Sequence, residues 1–215
     1  MAAAAPLYHL VRRGARADRV EDMAMVSEGR PDARPRVLVR RGLPTAPAVR
    51  GSMSLFMAEA QGQGVLPGRE MVYVGSEPAG EAVAPALRVS PGTEVIARRK
   101  VLTADGVPVR VATSYFRLDV FGGTRLAEQG FVTPSLQSAI GELGHEFGSA
   151  EETLVARLPT AEEAGLLELD PGEWVVCVVR ASYSTEDVPV HVLETVCSAT
   201  RHIFQIRQVA GHDEF

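Results

Sequence analysis

The chain has 215 residues, 46% of them hydrophobic, with 22 basic and 27 acidic side chains and a formal net charge of −5. That length supports one good-sized core plus an appendage, and two cysteines, Cys177 and Cys197, are too few for the disulfide framework of a small secreted domain. No run approaches the roughly 18–20 uninterrupted apolar residues of a membrane helix, and Arg12 and Arg13 come too soon for a secretory leader, so a cytoplasmic protein with free thiols is expected.

Residues 1–50 are basic, with ten arginines against five acids, while the rest of the chain is acidic. Five prolines and Gly14, Gly29 and Gly42 interrupt this segment, and its apolar runs, such as Val37-Leu38-Val39, show no sustained helical period. It is too short and too broken for the three amphipathic helices of a winged helix-turn-helix. It reads as a basic N-terminal extension, strand-forming or disordered, that either contacts nucleic acid or folds back on the acidic body.

From Gly51 the texture changes. Met53, Phe56, Met57 and Ala60 recur at helical spacing behind Ser52, and Gly62 and Gly64 end the run. Met71-Val-Tyr-Val74 is a strand candidate, and Glu81 to Leu87 a short helix despite Pro85.

An internal repeat follows. Leu87-Arg-Val-Ser-Pro-Gly92 and Leu167-Glu-Leu-Asp-Pro-Gly172 each lead through a strand to a polar turn, Asp105-Gly106 or Glu186-Asp187, and then to Val-Pro-Val, at 107–109 and 188–190. Asp-Gly between apolar runs signals a hairpin, so two related antiparallel hairpins are expected, each preceded by a short helix. Between them, Ser135 to Leu143 predicts a helix with Leu136, Ile140 and Leu143 on one side, and Thr160 to Glu163 has capping-box spacing. Hairpins with interspersed helices imply an α+β fold.

In this order, Leu-x-Val-x-Pro-Gly, Ala-Asp-Gly-Val-Pro-Val109, Thr113-Ser-Tyr115, Ser135-Leu136, Ala150-Glu-Glu-Thr153, Thr160-x-Glu-Glu163, Arg180-x-x-Tyr183 and Arg201-x-x-Phe204 resemble the UTRA effector-binding domain of GntR/HutC-type bacterial regulators. The resemblance covers about Gly51 to Arg207, giving an extension at 1–50, a UTRA-like domain at 51–208 and a tail at 209–215. It implies a chorismate-lyase-like fold, a mixed, largely antiparallel sheet with helices around a small-molecule pocket, commonly dimeric.

Period-two alternation places Arg98, Lys100 and Leu102 on one strand face, Ala112 with Ser114 on the next strand, and His191, Leu193, Thr195 and Cys197 together on the last. Val190, Val192 and Val196 line the opposite face, interrupted by Glu194. Lys100 is the sole lysine. The resemblance implies a cation pair at Lys100 and Leu102, so the apolar Leu102 weakens any bidentate recognition of phosphate. It also implies Glu at Ala112 and His191 and Tyr at Cys197, so the ligand here should differ from those of familiar members.

The expected ligand-binding residues are Arg98, Lys100, Ser114, Ser135, Arg180, Tyr183, His191, Thr195 and Cys197. For each a structural role competes: Lys100 as an exposed strand lysine, Ser135 as an N-cap, Arg180 as a surface charge, Tyr183 as packing. His191 and Cys197 lie about 20 Å apart along one strand, too far to share a metal, and no cofactor is expected. The sequence therefore predicts a small-molecule sensor, a homodimer without an ordinary DNA-binding domain. The alternative is an enzyme, lyase- or isomerase-like, using the same pocket on a small anionic metabolite.

Overall fold

The computed structural model describes residues 35–41, 56–57, 60 and 62–206. Among these residues eight strands are present: β1 (Val37–Arg41), β2 (Pro67–Pro78), β3 (Glu94–Ala104), β4 (Val107–Arg117), β5 (Phe147–Arg157), β6 (Val175–Ser184), β7 (Pro189–Ser198) and β8 (His202–Ile206). Four short helices join them: α1 (Val83–Leu87), α2 (Leu118–Phe121), α3 (Leu136–Glu142) and α4 (Ala161–Leu166). Six strands form an antiparallel sheet in the order β2-β3-β4-β7-β6-β5, and β1 pairs in parallel with β8.

The two hairpins, β3–β4 and β6–β7, meet at the centre of the sheet, so their repeat becomes a pseudo-twofold axis between β4 and β7. The turn ahead of each hairpin is built alike. Arg88 and Glu168 both adopt left-handed backbone, as do Gly92 and Gly172. Val89 N–H reaches back to the Ala84 carbonyl and Leu169 N–H to that of Ala164, each at 3.0 Å. Asp105 and Gly106 close the first hairpin at positive φ, where Asp and Gly carry the smallest steric penalty.

The repeat also sorts the core on one face, here the back. α1 packs Val83 and Leu87 on Val95, Ala97, Tyr115, Ala181 and Val192. The α4 end packs Leu166, Leu167 and Leu169 on Val175, Cys177, Val196, Val101 and Val111, the repeat-related positions. Thr160 caps α4 in a complete capping box with Glu163. Arg201 is fully buried and donates to the carbonyls of Pro108, Leu167 and Glu168, tying the first hairpin to the end of α4.

The front face is covered at its two ends. At one, Phe56 and Ala60, both helical, join Val37 against Leu102, Ala112 and Leu193. At the other, α2, α3 and the loop between them pack Phe121, Leu126, Ala139 and Ile140 on Ile96, Phe116 and Val190. The middle is left to the polar residues described below.

Several sequence expectations change. Leu143 is exposed, because α3 ends at Glu142 and Leu143 lies past its last turn. Val190 packs with Ile96 and Phe116 instead of lining the back, beside the register shift between Ser182 and Tyr183. The strand candidate Met71–Val74 is the middle of twelve-residue β2. β5 had no alternation to reveal it, since eight of its eleven residues are exposed and none is buried. Of the basic extension, Val37–Arg41 forms β1; the arginines of residues 1–34 and the cap proposed at Ser52 lie outside the described residues, as do residues 207–208 and the tail at 209–215.

Candidate functional site

Strand register builds the site as two rows on the front face. In one, Lys100 lies opposite Ala112, Ala112 opposite Thr195, and Thr195 opposite Val178. In the next, Arg98, Ser114, Leu193 and Arg180 follow across the same four strands. The pseudo-twofold axis exchanges the rows, carrying Lys100 onto Arg180 and Ser114 onto Thr195. Two cations and two hydroxyls thus flank the sheet centre, because one strand pattern was used twice and alternation keeps each residue on its face.

Lys100 is buried, and among the described residues no carboxylate offsets it. Burial, and then the guanidinium groups of Arg69, Arg98 and Arg110, hold its ammonium down to about 8. A buried ammonium surrounded by cations is costly to the empty protein, and a bound anion relieves that cost.

His191 follows along β7. Its ring stacks on Phe116 with centroids 5.0 Å apart, and its Nε2 is buried without a hydrogen-bond partner among the described residues. Burial, with Lys100 and then Arg180 adding to it, pushes the imidazole down to about 3, so the ring is neutral at physiological pH. Both cations therefore act on the same ring, which places His191 in the site's electrostatic field. A neutral imidazole offers a hydrogen bond without a charge.

The remaining predicted residues take different places. Arg180 is paired with Glu152 at 3.3 Å across β5 and β6. Arg98 points into the loop after α2, donating to the carbonyls of Leu126, Glu128 and Gly130; it anchors the cover over the site. Ser114, Thr195 and Cys197 are buried on the front face. Ser135 caps α3, its Oγ accepting from Ser138 N–H at 3.0 Å. Tyr183 lies on the back, packed near α1, with Arg88 over its ring; the structure does not bring it to Lys100. Cys177 is also on the back, beside Glu194, and burial pushes its thiol up to about 12, which leaves it protonated.

Arg110 and His202 are not among the expected ligand-binding residues; the sequence offers His202 only as a partner for Cys197. Arg110 shares the face of Ala112 and Ser114, so alternation could have found it. Its Nε donates to His202 Nε2 at 3.2 Å, while its guanidinium covers the Phe56 ring. His202 in turn donates from Nδ1 to the Ser198 carbonyl. This pairing depends on the turn into β8, which no local pattern announces. A separate groove of about 600 Å³, bordered by Arg88, Glu94, Arg117 and Asp119, contains none of the predicted residues. Among the described residues no cluster of three or more His, Cys, Asp or Glu side chains could hold a metal, and no helix is long and apolar enough to cross a membrane.

The UTRA domain model matches residues 62–203. An HTH-type transcriptional regulator of Streptomyces coelicolor is 35% identical over 129 residues, 57% of this chain and 47% of that protein. The HTH-type transcriptional repressor PhnF of Mycolicibacterium smegmatis is 30% identical over 170 residues, 77% of this chain and 69% of the repressor. The crystal structure of the PhnF effector domain superposes with a TM-score of 0.63 at 29% identity, covering 80% of this chain and all of that domain. The chain spans about half the length of the Streptomyces regulator. With the family model covering most of the chain, the chain belongs to the UTRA domain family, and the relatives it matches are named as HTH-type transcriptional regulators.

Proposed function

We propose that this chain is the effector-binding part of a transcription regulator and that its effector is a small anion held at Lys100. The observation that carries this reading is the buried Lys100 ammonium, which among the described residues has three guanidinium groups and no carboxylate in its electrostatic neighbourhood. Arg180, Ser114 and Thr195 supply further polar contacts on the same face, and the neutral His191 ring adds an uncharged hydrogen-bonding group. The regulator names of the relatives support the sensing role. Homodimer formation belongs to the same reading, as does a cytoplasmic location.

The test is a thermal-shift and calorimetric titration of the full chain with inorganic phosphate, sulfate and malonate against chloride at matched ionic strength. Saturable stabilisation by at least one of the three, abolished by Lys100→Met and retained in Arg88→Met, is expected. Absence of any saturable effect, or one that survives Lys100→Met, refutes the proposal.

A further inference from the structure

Lys100 is the one lysine among 22 basic side chains. Arginine would serve a purely ionic site better, since it stays protonated and offers a planar fork. Lysine differs in one chemical respect: beside other cations and away from water, its ammonium gives up a proton and becomes a nucleophilic amine. The sheet builds such a setting. Arg69 on β2 and Arg110 on β4 both lie opposite Leu102, so they flank β3 on either side, one row from Lys100. Arg98 stands two residues before Lys100 on the same strand face.

Among the described residues, burial and these three guanidinium groups, with no carboxylate to oppose them, bring the Lys100 ammonium down to about 8. At pH 7 about a tenth of the side chain is then the neutral amine, roughly 300 times the share in an ordinary lysine. Ion pairing with an anion needs the ammonium, the form this site disfavours. A bond from nitrogen to carbon uses the amine, the form it favours. Ala112 puts only a methyl group between Lys100 and Thr195, whose hydroxyl belongs to the same row.

We propose that Lys100 forms a reversible imine with its effector, and that the effector is a small oxo acid, an anion that also carries an aldehyde or ketone carbonyl. This rests on the anion-binding reading above and names the chemistry of that ligand. The ammonium first gives its proton to solvent. Nζ then attacks the carbonyl carbon, a C–N bond forms, and a proton passes from nitrogen to oxygen to give a carbinolamine. The carbinolamine C–O bond breaks, and its hydroxyl leaves as water with the remaining N–H proton. One amine and one carbonyl give one imine and one water, with no change of oxidation state. The guanidinium groups of Arg69 and Arg110 keep their charge throughout and draw the acid group of the ligand, while Thr195 offers a hydroxyl to the carbinolamine oxygen. The neutral imine also removes a buried charge that the empty site bears at a cost.

Incubation of the full chain with pyruvate and sodium cyanoborohydride at neutral pH tests this, because hydride from the reagent converts the imine into a stable secondary amine. Peptide mapping by mass spectrometry is expected to find the adduct at Lys100. It should form roughly tenfold faster than with methyl pyruvate, whose carbonyl is more electrophilic but whose charge is gone. Inorganic phosphate should slow it, and in urea the preference for pyruvate should vanish. Lys100→Arg, which keeps the charge and removes the amine, should leave only the α-amino group to react. A Lys100 peptide that stays unmodified, or that reacts as fast with methyl pyruvate as with pyruvate, while phosphate still stabilises the chain, overturns the imine and leaves the anion site standing. Absence of the adduct together with no saturable effect of phosphate, sulfate or malonate overturns both.

Discussion

Lys100 binds its proton less tightly in the fold, at about 8, than in the open chain, at 10.5. Between those values the unfolded chain carries the extra proton, so stability rises with pH through that window and the full penalty applies below it. That penalty is about 3 kcal/mol. Lys100→Met is expected to stabilise the empty protein at pH 7 and to flatten the rise between pH 8 and 10, which urea denaturation at the two ends measures; an unchanged slope contradicts the burial argument. His191 and His202 are both pushed down to about 3, by burial first and then by neighbouring cations. Their contribution is present above about pH 6.5 and is lost as pH falls toward 3, by about 1.4 kcal/mol per pH unit for each ring. His191→Phe, which keeps the aromatic stack on Phe116, should reduce the loss of stability between pH 6.5 and 5 by about half. At this scale alternation sorted the residues within each strand, grouping His191 with Thr195, and the family resemblance was what joined them with Lys100 and Ser114 in one expected pocket. It could not show that Arg98 is consumed by three carbonyls, because those carbonyls come from a loop 28 to 32 residues away.

The repeated turn has a measurable consequence at the level of elements. Gly92 and Gly172 have φ of +82° and +84°, and a Cβ at either would meet nothing within 4 Å. Alanine there should cost about 1 kcal/mol, from backbone strain alone and nearly equally in the two repeats. Gly148→Ala should cost more, since its Cβ would come within 2.6 Å of the Ser184 carbonyl oxygen. Thermal denaturation of the three variants tests the order. Thr160→Ala should remove about 1 kcal/mol through loss of the capping box. The hairpins, the capping box and the Pro-Gly turns were legible because glycine, proline and side-chain caps act within a few residues. β5 was not legible, because an edge strand exposed on both faces has no burial period to write into its sequence.

Across the whole molecule, β1 pairs with β8 at the opposite end of the chain, and Val37 is buried with Phe56, Leu102 and Leu193. Val37→Asp should therefore cost more than about 3 kcal/mol, by leaving a carboxylate uncompensated in that cluster, and a melting temperature within a few degrees of the parent would contradict this packing. The same cluster touches the residue that links it to the site, since Arg110 covers Phe56 and bonds His202 at the start of β8. The sequence by itself determined the α+β class, the two hairpins and their kinship, and which residues share a face along most of β3, β4 and β7, because periodicity and turn chemistry are local. Only the tertiary structure decided that the two hairpins meet side by side at β4 and β7, that β1 belongs to the folded body, and that among the described residues Arg180 has a carboxylate partner and Lys100 has none. Those outcomes depend on which distant segments share a row or a cluster, and burial and charge compensation are properties of that assembly.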